Sequence, residues 1–102
     1  MVRHVIIWKL KDGYTGEEIS RIKKDIKEGL EGLAGNIPGL KEIRVYTDPL
    51  ESSNCDLILD SLFENEESLM GYIDHPLHVD VAQNKVRPFV AQRNCIDFKV
   101  KE

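Results

Sequence analysis

The 102-residue chain carries 14 basic and 18 acidic side chains, for a net charge of −4, and it is 41% apolar and 31% charged. An acidic balance opposes a polyanion such as nucleic acid as partner, and no apolar run approaches the ~20 residues that a bilayer span requires. The length suits one core, so residues 1–102 read as a single domain.

Met1 to Trp8 has one basic residue and a short apolar run with no small-residue cleavage site before Lys9 and Lys11, so it reads as a first strand and not as a signal peptide. Residues 2–11 alternate: His4, Ile6, Trp8 and Leu10 share one face, and Arg3, Val5, Ile7, Lys9 and Lys11 share the other. Its middle is apolar on both faces, which places the strand inside a sheet covered on both sides. Asp12-Gly13 ends it. Thr15 and Glu18 have capping-box spacing and open a helix. Ile19, Ile22, Ile26, Leu30, Leu33 and Ile37 recur every three or four residues as its apolar stripe. Gly29, Gly32 and Gly35 in its second half read as a weakly held end with Gly35 near the C-cap, or as room for a close neighbour.

Leu40 to Thr47 reads as a second strand and Cys55 to Phe63 as a third, with Leu57 and Leu59 opposed to Ile58 and Leu62. Asn65 caps a short helix carrying Leu69, Met70, Tyr72 and Ile73. Pro76 interrupts it, so His75-Pro76 marks the start of a second segment that runs through His78, Val79, Ala82 and Val86 until Pro88 closes it. Lys85, Arg87 and Arg93 form a loose basic cluster, read as charges favourable to the helix dipole. Asn94 to Val100 is the last strand.

The order βαββαβ defines an α+β, ferredoxin-like fold: a four-stranded antiparallel sheet with helices on one face. The other face, with Val5, Ile7, Ile58 and Leu62, has no helix to cover it. A second copy of the chain is the economical cover, giving a homodimer in which two sheets pack into a dimeric α/β barrel. In that strand order Cys55 and Cys95 start strands on either side of the first, too far apart for an intrachain disulfide. The two read as reduced structural thiols of a cytoplasmic protein.

Tyr72-Ile73-Asp74-His75-Pro76-Leu77-His78 gathers two of the three histidines and a phenol, and it is the natural place to look for proton chemistry. This block resembles the stress-responsive A/B barrel domain family (Dabb). So do His4-Val5-Ile6-Ile7-Trp8-Lys9-Leu10-Lys11, Phe63-Glu64 and Arg93-Asn94-Cys95-Ile96-Asp97-Phe98. The His-Pro-x-His element and the closing Asp-Phe are the most specific parts. The resemblance implies a dimeric α/β barrel. Its similarity to plant polyketide cyclases of the family implies a catalytic pair at Tyr72 and His78, with His4 on the first strand and Asp97 on the last as pocket residues. Ile6, Trp8, Leu59 and Ile73 would border the same pocket. Ile22, Lys23 and Ile26 stand where those cyclases carry aromatic residues, a departure that bears on substrate.

Two readings of these residues stand side by side. In the first the chain is a homodimer with a small apolar pocket for a small organic ligand and no assigned reaction. In the second it is a cofactor-independent cyclase or lyase in which His78 takes a proton beside a carbonyl and Tyr72 donates to the oxygen gaining charge. The structural counterpart of both is that His75 and His78 cap the helix junction, Tyr72 packs in the core, and His4 is a core histidine bonded to Asp97. His75 and His78, with His4 and Asp74 or Asp80, offer metal ligands, but an HxxH at a proline break is not a zinc signature. Neither metal nor cofactor is expected.

Overall fold

The computed structural model describes residues 1–101. Its elements run in the order β1 (Val2–Leu10), α1 (Gly16–Glu31), β2 (Leu40–Tyr46), β3 (Leu57–Phe63), α2 (Glu66–Asp74), α3 (Pro76–Val81) and β4 (Val90–Lys99). The strands form one antiparallel sheet in the order β2-β3-β1-β4, the ferredoxin-like α+β arrangement.

Register fixes which side chains share a face. His4 lies opposite Ser61 on β3 and Asp97 on β4, Ile6 opposite Leu59 and Cys95, and Trp8 opposite Leu57 and Arg93. This face meets Ile22, Ile26 and Leu30 of α1, Leu69 and Tyr72 of α2, and Val86 beyond α3 in one core. Burying each large aliphatic side chain contributes about 1.5–3 kcal/mol, so the α1 stripe alone is a major term in holding helix to sheet. The capping box forms as its spacing predicts: Glu18 N–H donates to Thr15 Oγ1 at 3.2 Å and Thr15 N–H to Glu18 Oε1 at 2.9 Å. Hydrogen bonding to Thr15 holds the Glu18 carboxyl below its ordinary range.

Several boundaries move. α1 stops at Glu31 with Gly32 as C-cap, so Leu33 and Ile37 reach the core from the turns that follow. The left-handed backbone needed to leave those turns falls on Gly35 (φ 81°) and Gly39 (φ 79°). Gly29 answers to the second expectation, close packing: a Cβ there would lie 2.9 Å from Val81 Cγ1 of α3. β3 begins at Leu57 because the residue before it, Asp56, is bonded to the end of β1. Asp56 turns its carboxylate to accept from Leu10 N–H at 2.7 Å while its own N–H donates to the Trp8 carbonyl at 2.9 Å. β4 begins at Val90, four residues before Asn94, because the chain leaves a short 3-10 turn at Arg87–Phe89 straight into register with Leu10. Between α3 and that turn the backbone widens into a π turn over Ala82–Val86, closed by Arg87 N–H on the Ala82 carbonyl.

The two sheet edges are treated differently. Along β2, Lys27 Nζ donates to the Val45 carbonyl at 2.7 Å, Glu31 Oε2 accepts from Val45 N–H at 2.9 Å, and Lys23 Nζ donates to the Thr47 carbonyl at 2.9 Å. Burial pushes the Glu31 carboxyl up, but Lys27 and the Val45 amide outweigh it and the net shift is down. β4 has no such guard, and from Ala91 to Lys99 every residue is exposed. The helix-free face presents Ile7, Tyr46, Ile96 and Phe98 to solvent around an Arg3–Asp60 ion pair of 2.7 Å. Cys55 and Cys95 are free thiols.

Candidate functional site

α2 begins with Asn65 Oδ1 accepting from Ser68 N–H at 2.8 Å and ends where His75 turns extended (φ −66°, ψ 132°). Pro76 then occupies the first position of α3, where its missing N–H costs nothing. His75 caps that helix: its Nδ1 accepts from Leu77 N–H at 3.1 Å. The imidazole of His75 is therefore engaged in holding the junction.

His78 makes a different contact. Its Nδ1 lies 3.1 Å from the Ile73 carbonyl oxygen. A carbonyl only accepts, so this bond places the proton on Nδ1 and leaves Nε2 with its lone pair. Burial holds the His78 imidazole below its ordinary range of basicity; the Ile73 carbonyl opposes this, while His4, Arg87 and Arg93 add to it. The ring is thus a neutral base at pH 7, with the acceptor nitrogen defined by the backbone.

Tyr72, one turn before the junction, is fully buried, and its ring lies 4.2 Å from that of His78, centroid to centroid, at 36°. Its hydroxyl has no hydrogen-bond partner among the described residues. Burial pushes the phenol well above its ordinary value, against a smaller opposing effect of Arg93. It therefore stays protonated at physiological pH and can donate a hydrogen bond.

His4 sits on the other side of Tyr72, edge to face at 6.0 Å, and is 2% exposed. Its Nδ1 meets Asp97 Oδ1 at 2.5 Å, and because a carboxylate oxygen accepts, Nδ1 carries the proton. Cys95 Sγ lies 3.7 Å from the same nitrogen. His4, Cys95 and Asp97 are the one group of potential metal ligands that converges among the described residues, with atoms within 4.8 Å of one another. Burial and the Asp97 charge raise the Cys95 thiol above its ordinary value, and the His4–Asp97 contact has hydrogen-bond length, too close for two ligands around one ion without separation. His75 and His78 are not part of that group.

A cavity of about 510 Å³ opens between the sheet and the helix junction. His4, Ile6, Trp8, Leu59, Tyr72, Ile73 and His78 all line it. Asp97 does not: it reaches the cavity only through His4 and borders a shallower surface hollow beside Met70 and Phe98. Phe89 is not among the lining residues and packs against Tyr14 with centroids 6.1 Å apart. Arg87 and Arg93 also line the cavity, a placement their reading as dipole-favouring charges had missed. The signal was available for Arg93, because continuing the alternation of Asp97 and Cys95 backwards puts it on the helix side of β4.

A four-stranded ferredoxin-like sheet carrying a cavity beneath a proline-broken helix defines a recognisable class of α+β protein. The chain belongs to the stress-responsive A/B barrel domain family, whose model matches residues 2–100. It is 32% identical over 84 residues to the stress-response A/B barrel domain-containing protein HS1 of Arabidopsis thaliana, covering 79% of this chain and 73% of that protein. It is also similar to a dimeric ferredoxin-like protein of unknown function from Bacteroides fragilis (TM-score 0.90, 26% identity, 97% of this chain and 95% of that one). The hydroxynitrile lyase of Passiflora edulis shares the fold at 18% identity, with a TM-score of 0.73 over 99% of this chain and 94% of the other.

Proposed function

We propose that the chain is a single-domain, cytoplasmic homodimer in which two sheets pack by their helix-free faces into an α/β barrel, each subunit holding a pocket for a small organic ligand. The observation that carries the ligand site is the Tyr72 hydroxyl, buried and without a partner among the described residues, on a side chain that lines a cavity of about 510 Å³. Buried hydroxyls are otherwise nearly always hydrogen-bonded, and an orphan costs about 1–3 kcal/mol. A ligand oxygen accepting from Tyr72 would recover that cost. The dimer is supported by the apolar helix-free face and unguarded β4 edge, together with the dimeric state of the similar Bacteroides protein.

The pocket is tested by titrating the protein with small ketones, aldehydes and acids while following the His78 imidazole and Tyr72 ring signals by NMR. Saturable shifts at both residues, lost in Tyr72→Phe, are expected. A library without saturable binding at either would remove the reading.

A second reading follows from His78. A neutral imidazole whose Nε2 is the acceptor, stacked on a protonated phenol, is the pair needed to remove a proton next to a carbonyl while the phenol donates to the developing enolate oxygen. Cofactor-independent cyclase or lyase chemistry would use both groups, with His4 positioned by Asp97 as a support. Were turnover found, His78→Ala and Tyr72→Phe should each lower kcat while leaving the fold intact; unchanged rates in both would exclude the pair.

A further inference from the structure

The cavity lining is charge-segregated. The chain as a whole has more carboxylates than cations, yet the charged residues of the lining are two arginines, Arg87 and Arg93, with no aspartate or glutamate. Neither arginine forms an ion pair with a carboxylate among the described residues, although Arg3, Lys24, Lys27 and Lys41 all do. The two reach the mouth from different elements, Arg87 from the turn before β4 and Arg93 from β4 itself. Apart from the histidines and the Tyr72 phenol the remaining wall is apolar, and Trp8, Leu59 and Val86 in it are all buried.

We propose, resting on the ligand-pocket reading above, that the molecule taken here is a small organic acid. Its apolar body lies against Trp8, Leu59 and Val86, and its carboxylate is held at the mouth by Arg87 and Arg93. A guanidinium presents a planar fork that matches a carboxylate, and an ammonium does not. The choice of carboxylate over phosphate follows from the donors present. Phosphates are commonly cradled by free backbone amides at a helix start, whereas the first turn of α3 is already capped by His75. Such a ligand also orients itself: with its charge at the mouth, the far end is directed inward toward Tyr72 and His78.

The test uses matched pairs of probes, hexanoate with hexanamide and hydrocinnamate with hydrocinnamamide, titrated into the intact protein by NMR and calorimetry. Each acid should bind at least about tenfold more tightly than its amide. The preference should shrink as salt is raised, because the arginines are exposed. Arg87→Met with Arg93→Met should bring acid and amide to equal affinity without lowering Tm, and Arg87→Lys should recover only part of the difference. Acid and amide binding equally to the unaltered protein would overturn the carboxylate assignment and leave the pocket standing. If neither member of either pair binds saturably, the assignment and the pocket reading fall together.

Discussion

The rings of Tyr72 and His78 lie 4.2 Å apart although the two residues are six positions apart in the chain. On one continuous helix that separation would put them about 9 Å apart along the axis and on different faces. The break at His75-Pro76 is what allows the contact, because the extended backbone of His75 redirects the chain so that α3 returns its first turn toward α2. The proline therefore shapes the Tyr72–His78 contact through geometry. It also frees the Ile73 carbonyl, near the end of α2, to accept from His78 Nδ1 and set the tautomer.

Tyr72→Phe separates a structural phenol from a functional one. The substitution keeps the ring that packs against Phe63, His4 and His78 and removes only the orphan hydroxyl. Stability should rise, by about 1 kcal/mol, because a desolvated group without a partner is deleted. Thermal and urea denaturation of the ligand-free protein measure this directly. A loss of stability of similar size would mean that the hydroxyl serves the fold.

The burial of His78 makes stability depend on pH. Its folded basicity lies below the unfolded value of 6.5, so between the two the unfolded chain binds a proton that the folded chain does not. The contribution of the neutral ring is therefore complete above about pH 6.5, is lost progressively as pH falls toward the folded value, and declines no further below it. Denaturation across pH 4–8 should show this slope, and His78→Gln should flatten it. An NMR titration giving His78 a value above that of an unfolded histidine would contradict the prediction.

Much of this was legible in the chain, for identifiable reasons. Alternation in β1 separated His4, Ile6 and Trp8 from Val5 and Ile7, and the structure buries the first three against the helices. The capping box and the proline break were local signals that local geometry obeyed. The start of β4 was not legible: Val90-Ala91-Gln92-Arg93 lies on an exposed edge, where the mixed polarity of a strand looks like that of a loop. The π turn over Ala82–Val86 carries no composition signal, and with it went the placement of Arg87. The pairing of His4 with Asp97, by contrast, follows from counting register once both strands are in place.

That pairing makes its own prediction. His4 Nδ1–H is buried and directed at Asp97, so Asp97→Ala leaves a donor with only the weak sulfur acceptor of Cys95 nearby. A loss of roughly 1–3 kcal/mol is expected. Asp97→Asn keeps an acceptor oxygen in place and should lose less, about 1 kcal/mol, because the bond is no longer charge-assisted. Urea denaturation of both variants distinguishes a positioning contact from an incidental one: equal losses would show that hydrogen bonding to His4 is not what Asp97 contributes.

The helix-free face can be tested apart from the cavity because the two lie on opposite sides of the sheet. Ile7 projects from the central strand among Tyr46, Ile96 and Phe98, which are 56%, 59% and 40% exposed in the isolated chain. Ile7→Glu would place a carboxylate within the proposed sheet-to-sheet contact, where leaving water without a partner costs several kcal/mol. Sedimentation velocity should therefore find monomer or insoluble protein for Ile7→Glu and dimer for the unaltered chain. Any monomer that remains soluble should still show the His78 and Tyr72 signals shifting with ligand, because the cavity wall does not include Ile7. A soluble and fully dimeric Ile7→Glu would mean that the chain associates through another surface, with the unguarded edge of β4 as the next to examine.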